Sequence, residues 1–260
     1  MISWLESLPT VTAGIVIVGG FVLIALAIGY LVARFTSVEV RTAHNDRAGF
    51  ILAVIGVIYA VLLAFVAIGV WERFQEAEAR TYDEAGALAT VYRDAGSYAA
   101  ASRLRARLRS YVLSVIDDEW PRMSRGAKPR LASPSLEAVD RNIRALPVDS
   151  PRLADIQTQM LSAIDRALMD HETRLTVDSS GISRMMWVVL IVGAVVTVAF
   201  TYLFGFDRTL MQELMIGGLS FLIGLVLFLI IALDYPFRGG ISVSPEAFRA
   251  LLDTFTAIGR

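Results

Sequence analysis

Residues 48–80 read AGFILAVIGVIYAVLLAFVAIGVWERFQEAEAR, an apolar run from Ala48 to Val70 that passes without a break into the charged sequence Trp71 to Arg80. The run has the length of the ~20 residues a helix needs to cross a hydrocarbon core. No proline occurs between Gly49 and Trp120, so one helix is predicted to continue out of the bilayer through Glu72, Glu76 and Arg80 as a long stalk. Working outward, three more segments of the same kind appear: Val11 to Ala33 before it, and Met185 to Phe206 and Leu214 to Leu233 far behind it. The prediction is an all-α membrane protein. Four transmembrane helices in two pairs flank a helical-bundle soluble domain, with transmembrane helices 1 and 2 in residues 1–71, the soluble domain and stalk in 72–183, helices 3 and 4 in 184–234, and an amphipathic tail in 235–260.

Composition agrees. Hydrophobic residues make up 55% of the chain and mean hydropathy is positive, both above the range of ordinary soluble domains. The flank Met1 to Thr10 carries Glu6 and no basic side chain, so the first segment is expected to be retained and not cleaved as a signal. Cysteine is absent, which removes disulfides, thiolate metal sites and thiol catalysis together. All basic residues except Lys128 are arginine and the formal net charge is -1; no nucleic-acid footprint is present.

An even number of crossings puts both ends of the chain and the soluble domain on one side. Trp4, Trp71, Trp187 and Tyr235 fall at the domain-side ends of the segments, where interfacial aromatic residues gather. Arg34, Arg41 and Arg47 follow the first segment and argue for an outside domain, whereas Arg73, Arg80, Arg174, Arg184, Arg238 and Arg249 flank the segments on the domain side. The adopted reading is a multi-pass membrane protein with a cytoplasmic domain and termini.

The domain reads as helices throughout. Asp94, Gly96 and Ser97 predict a turn, and Leu104, Leu108, Tyr111, Val112 and Val115 recur at helical spacing until Pro121, where the helix is expected to stop. An exposed loop is expected over Pro121 to Ser135, then a helix over Leu136 to Leu146. Ser150 and Pro151 are an N-cap and first position for a helix with Leu153, Ile156, Met160, Ile164, Ala167 and Leu168 on one side. The tail begins a helix at Ser244, Pro245 and Glu246, with Phe248, Leu251, Leu252, Phe255 and Ile258 as its stripe. That stripe suits packing on the protein's own domain or lying on the membrane surface.

The second segment is the working element. Gly49, Ala53, Gly56, Ala60, Ala64 and Ala67 form a small-residue stripe that permits close helix packing. Ile51, Ile55, Ile58, Leu62 and Phe65 occupy another face, which either meets lipid and neighbouring helices or lines a pore with apolar rings that gate by dewetting. Ala25, Gly29 and Ala33 on the first segment and Gly217, Ser220 and Gly224 on the fourth repeat the small pattern. No ionisable side chain interrupts the four apolar cores, so a proton- or ion-coupled transporter is disfavoured while a conductive pore is not. His44, Asn45 and Asp46 form either a polar pore mouth or the capping of the second helix. Glu72, Glu76, Glu78, Asp83 and Glu84 form either an acidic vestibule or solvated pairs such as Glu76 with Arg80. Arg103, Arg105, Arg107 and Arg109 spread over two helix faces and read as surface residues. Neither histidine belongs to a zinc-binding helix motif, and phosphate-loop and nucleophile-elbow patterns are missing. No catalytic, metal or cofactor site is expected.

Three stretches are similar to the bacterial bestrophin-like membrane family, also labelled a domain of unknown function: His44-Asn45-Asp46 ahead of Tyr59-Ala60-Val61-Leu62-Leu63-Ala64-Phe65, the Tyr111 to Pro121 segment ending Glu119-Trp120-Pro121, and Asp234-Tyr235-Pro236-Phe237-Arg238-Gly239. The similarity spans about Gly29 to Phe248. Bestrophins are pentameric ion channels with a cytoplasmic helical domain and a pore lined by the second membrane helix. The resemblance therefore implies a homo-oligomer, a pentamer, with Ile51, Ile55, Ile58, Leu62 and Phe65 approaching a central axis. The bestrophin calcium clasp has no counterpart, so calcium gating is not implied. The resulting expectation is a bestrophin-like channel for monovalent ions. The alternatives are a noncatalytic membrane signalling or scaffold protein and a stator-like motor subunit, the last lacking a stator motif in the third and fourth segments.

Overall fold

The structure, a computed structural model, describes residues 10–42, 45–98, 101–127, 133–179, 181–205 and 209–258. The described residues form helices α1 (Thr10–Phe35), α2 (Val38–Thr42), α3 (Asn45–Ala95), α4 (Ala101–Ser114), α5 (Trp120–Met123), α6 (Ser133–Arg144), α7 (Pro151–Ser179), α8 (Arg184–Thr201), α9 (Thr209–Leu233) and α10 (Glu246–Ile258), with one π-helical turn at Val115–Glu119 and no strand among them. Four of these helices, α1, α3, α8 and α9, are long and apolar enough to cross a membrane. The chain divides into two compact units.

The first unit holds residues 1–72, 182–234 and 239–241. Its core is α1 laid along α9, and small residues make the contact. A Cβ on Gly14 would sit 3.2 Å from the Phe228 ring, and one on Gly224 3.5 Å from the Val18 backbone. Gly29 is tighter still, with Ile216 at 2.9 Å and the Tyr202 ring at 3.3 Å. The stripes of α1 and α9 thus serve van der Waals packing where no hydrophobic drive exists between helices. Within the spans Tyr202 Oη donates to the Ala25 carbonyl (3.0 Å) and Thr197 Oγ1 to the Gly193 carbonyl (2.8 Å). Ser183 caps α8, accepting from Met186 N at 3.2 Å. Two features differ from expectation. The connection after α1 contains the short helix α2, and α8 ends at Thr201, short of Phe206. Beyond that end Gly205 lies so close to α2 that a Cβ would meet Thr42 N at 2.6 Å.

The second unit holds residues 73–181, 235–238 and 242–260. Leu88 and Val91 of α3, Leu108 and Val112 of α4, Leu136 and Ile143 of α6, and Met160 and Ile164 of α7 close one core, each large side chain contributing about 1.5–3 kcal/mol on burial. Ser150 caps α7 through Leu153 N (3.3 Å). Pro121 does not stop the helix. The π turn before it bonds Trp120 N to Val115 O, and the proline occupies the first turn of α5, where a missing N–H is tolerated. α10 packs within this unit: Phe248, Leu251 and Phe255 are buried, and Tyr92 stacks on Phe255 with ring centroids 3.8 Å apart.

Candidate functional site

Viewed down the first half of α3, three faces differ. Ala48, Tyr59, Leu63 and Val70 are buried in the first unit. Tyr59 is the tether: its Oη donates to the Leu190 carbonyl (2.9 Å), and its ring occupies the space over Gly193, where a Cβ would lie 2.5 Å away. Beside it Ile55 and Leu62 are half-buried and line a groove of about 400 Å³ with Val188, Val192 and Val196 of α8. Next comes a more exposed line among the described residues, Ile51, Ile58 and Phe65, exposed at 45%, 67% and 72% and spaced by two helical turns, with Ile58 at the edge of the groove. The small residues lie on a third face. A Cβ on Gly49 would lie 3.8 Å from the Phe204 ring, one on Gly56 would have nothing within 4 Å, and Ala53 and Ala60 are exposed.

His44 lies outside the described residues. Asn45 opens α3 and spends its carboxamide on one backbone unit, donating Nδ2 to Gly205 O (2.9 Å) and accepting Gly205 N at Oδ1 (3.0 Å). Asp46 is exposed in the first turn of α3, where a carboxylate favours the helix dipole. Arg41 of α2 reinforces the tie through Nη1 to Gln212 Oε1 (3.1 Å) and Phe204 O (3.4 Å). Glu72 is exposed, and in the second unit Glu76 is 3.8 Å from Arg80, which also donates to Asp170 Oδ1 (3.2 Å).

The second unit contains a constellation that the pattern of the sequence did not single out. Arg174 is wholly buried between two carboxylates, its Nε 2.9 Å from Glu84 Oε2 and its Nη1 2.6 Å from Glu119 Oε1. Its Nη2 lies 3.0 Å from His171 Nδ1; a guanidinium can only donate, so Nδ1 accepts. Tyr111 Oη donates to Glu84 Oε1 (2.5 Å). The guanidinium faces the Trp120 ring at 5.1 Å and the Phe248 ring at 5.6 Å. Burial pushes the Glu84 carboxyl up, but the opposing pull, led by the Arg174 guanidinium, outweighs it and holds the group below its ordinary value. Burial and the adjacent Glu84 charge raise Tyr111 well above the usual phenol range. The signal was in the spacing: Met160, Ile164 and Ala167 run on as His171, Arg174 and Asp178 at the same four-three repeat, so the polar residues extend an apolar stripe.

The Asp234 to Gly239 motif resolves into separate duties. Within the first unit Asp234 Oδ1 accepts Ile182 N at 2.7 Å. Within the second, Phe237 is buried against the edge of Trp120 (5.4 Å), and Pro236 O accepts Val243 N (2.8 Å). Gly239 turns the chain at φ +74, a conformation glycine adopts without strain. Among the described residues no group of three or more histidine, aspartate or glutamate side chains could hold a metal ion.

A family model described as a bestrophin-like domain matches residues 19–248. A crystal structure of a membrane protein, solved as a point variant, aligns with a TM-score of 0.66 and 13% identity over 91% of this chain and 98% of its own. A crystal structure of a bacterial bestrophin homologue from Klebsiella pneumoniae, also a point variant, aligns with a TM-score of 0.64 and 13% identity over 92% of this chain and 98% of its own. At that identity the likeness is one of fold. No curated protein matches significantly.

Proposed function

The chain belongs to the bestrophin-like family, and from that premise we propose that it is an oligomeric ion channel of the bacterial inner membrane, a homopentamer in which five α3 helices surround the axis. The observation that carries the reading is the line Ile51, Ile58 and Phe65. It is apolar, regular, free of ionisable groups and largely exposed among the described residues. Five copies would bring it together as stacked apolar rings, a construction that gates by dewetting. Ile55 and Leu62 border the same line and complete the pore face. The opposite small-residue face, Gly49, Ala53, Gly56 and Ala60, would let neighbouring copies approach closely.

His44, Asn45 and Asp46 would stand at one mouth, with Asn45 acting through the Gly205 loop it holds. Glu72 and Glu76 would meet monovalent ions on the domain side, in the cytoplasm with both termini. The rival reading, a noncatalytic signalling or scaffold protein, is favoured by one surface of the second unit, a groove of about 560 Å³ with Arg80, Asp83, Arg166 and Asp170 in its walls and with Tyr82 and Met169 exposed on it.

Ion flux through the purified protein in liposomes separates the two, under potassium and chloride gradients and with Leu62→Ser and Ile58→Ser alongside. Selective flux that rises in the variants is the result expected of the channel. Absence of flux under both gradients from folded protein would sink it and leave the scaffold.

A further inference from the structure

Among the described residues two arginines are buried, Arg174 in the second unit and Arg41 in the first, and their surroundings are opposite. Arg174 lies between two carboxylates. Arg41, only 7% exposed near the end of α2, makes no ion pair with a described residue. Its partners are neutral oxygens: Nη1 donates to Gln212 Oε1 at 3.1 Å and, more loosely, to the Phe204 carbonyl at 3.4 Å. The other edge of the guanidinium carries Nε, which is buried and has no hydrogen-bond partner.

Gln212 repeats the pattern. It is 5% exposed in the first turn of α9, and the bond from Arg41 occupies its Oε1. Its Nε2, the donor end of the amide, is also buried without a partner. The 3.1 Å bond between the two side chains keeps both orphan donors in one neighbourhood. No acidic residue stands in the first turn of α9, where the free amides of the helix put the positive end of its dipole. The carboxylates of Asp46 and Glu213 are on exposed residues instead. Asn45, beside them, has spent its amide on Gly205.

We propose that Arg41 and Gln212 form a binding site for a small monovalent anion, with chloride as its simplest ligand. A cation withdrawn from water is strongly disfavoured unless a counter-charge replaces its hydration, and no described side chain supplies one to Arg41. Two buried N–H donors with nothing to receive them also require an acceptor. A water molecule would accept their hydrogen bonds but leave the guanidinium charge uncompensated; an anion answers both needs. Burial selects for size and charge, since a divalent oxyanion would shed more hydration than these few donors restore. Bound there, the anion ties α2 to the start of α9 beside the Asn45–Gly205 contact. The site needs only the first unit, and it stands whether or not the chain conducts ions.

The test is thermal unfolding of the full chain in detergent, with sodium chloride exchanged for sodium gluconate at constant ionic strength. The expected result is a saturable rise in melting temperature with chloride, of about 2–4 °C. Arg41→Gln should lose the rise because the charge is gone. Gln212→Glu should lose it for the opposite reason: its carboxylate supplies the counter-charge from within, so in gluconate it should melt at least as high as the parent. Arg34→Gln, at an exposed position near the end of α1, should keep the parent response. A folded parent that ignores chloride would mean that water alone serves the donors, and it overturns the proposal. So does a rise retained in Arg41→Gln or Gln212→Glu, a Gln212→Glu protein that melts below the parent in gluconate, or a rise lost in Arg34→Gln.

Discussion

Arg174 Nε and Glu84 Oε2 meet at 2.9 Å with both side chains wholly excluded from solvent, joining α7 to α3 in the middle of the helical domain. Glu119, Tyr111 and His171 close around them. Such a cluster commonly stabilises less than well-packed apolar residues of the same volume, but losing one member strands the others.

Replacing Arg174 by Met should therefore destabilise the domain by about 3–5 kcal/mol, since it leaves Glu84 and Glu119 facing each other in a dry interior. Glu84→Gln, which keeps the size and the contact with Tyr111, should cost less, and the pair Arg174→Met with Glu84→Gln less than the sum. The sign with pH follows from Glu84. Its folded pKa is held down, so its contribution is present above the ordinary carboxyl value and is lost as pH falls below that value through the folded one. Melting followed by circular dichroism from neutral pH downward checks both; a parent and Glu84→Gln that lose stability in parallel would show that Glu84 is not the group responsible.

The architecture was open to reading because length and hydrophobicity act locally: a bilayer-length apolar run can do little else, and Ser150-Pro151 and Ser244-Pro245-Glu246 start helices by chemistry contained in a few residues. Where the reading failed, the deciding partner was distant. Pro121 looks like a stop until the π turn before it absorbs the missing donor. The tie of Asn45 to Gly205, 160 positions away, belongs to no pattern near Asn45 in the sequence. The bulky face of α3 was visible as a stripe, but the groove that Ile55, Ile58 and Leu62 form with α8 was not. The ionic cluster was hidden by composition: charges usually mark a solvated face, and only their place on the Met160-Ile164-Ala167 repeat says otherwise.

Asn45 and Gly205 should behave as one joint. Asn45→Ala leaves a part-buried N–H and C=O of Gly205 unsatisfied and should cost about 1–3 kcal/mol. Asn45→Asp keeps the acceptor for Gly205 N but loses the donor to Gly205 O, so an intermediate loss is expected. Gly205→Ala drives a methyl into Thr42 N and Val38 O at 2.6 and 2.8 Å, which are backbone and cannot yield, and should be the worst of the three. Detergent melting temperatures in the order Asn45→Asp, Asn45→Ala, Gly205→Ala, highest to lowest, are the expected outcome.

Tyr59 and Gly193 make a sharper case, because shape and polarity can be separated. Tyr59→Phe removes only the bond to Leu190 O and should cost about 0.6 kcal/mol, the usual worth of such a bond between membrane helices. Gly193→Ala puts a methyl into the ring at 2.5 Å and should cost about 1–3 kcal/mol through overpacking. Combining Gly193→Ala with Tyr59→Leu should recover part of that loss, a non-additivity expected only of residues in contact.

The division of α3 into faces gives the channel reading its most exacting test, and the absence of cysteine from the chain makes it practical. A single cysteine at Ile51, Ile58 or Phe65 should react with a charged, membrane-impermeant thiol reagent and change ion flux when it does, because a pore face meets water at least while open. Cysteines at Ala53 and Ala60, a half-turn around the same helix, should resist the reagent yet form disulfides with cysteines introduced on neighbouring copies if small residues bring copies together. Positions 55 and 62 should fall between, shielded on one side by Val188 and Val192. The pattern matters more than any one rate: reactivity at every seventh residue from Ile51 marks a wetted helical line, whereas uniform protection of Ile51, Ile58 and Phe65 would mean lipid covers them and that the axis, if the oligomer has one, runs along another helix.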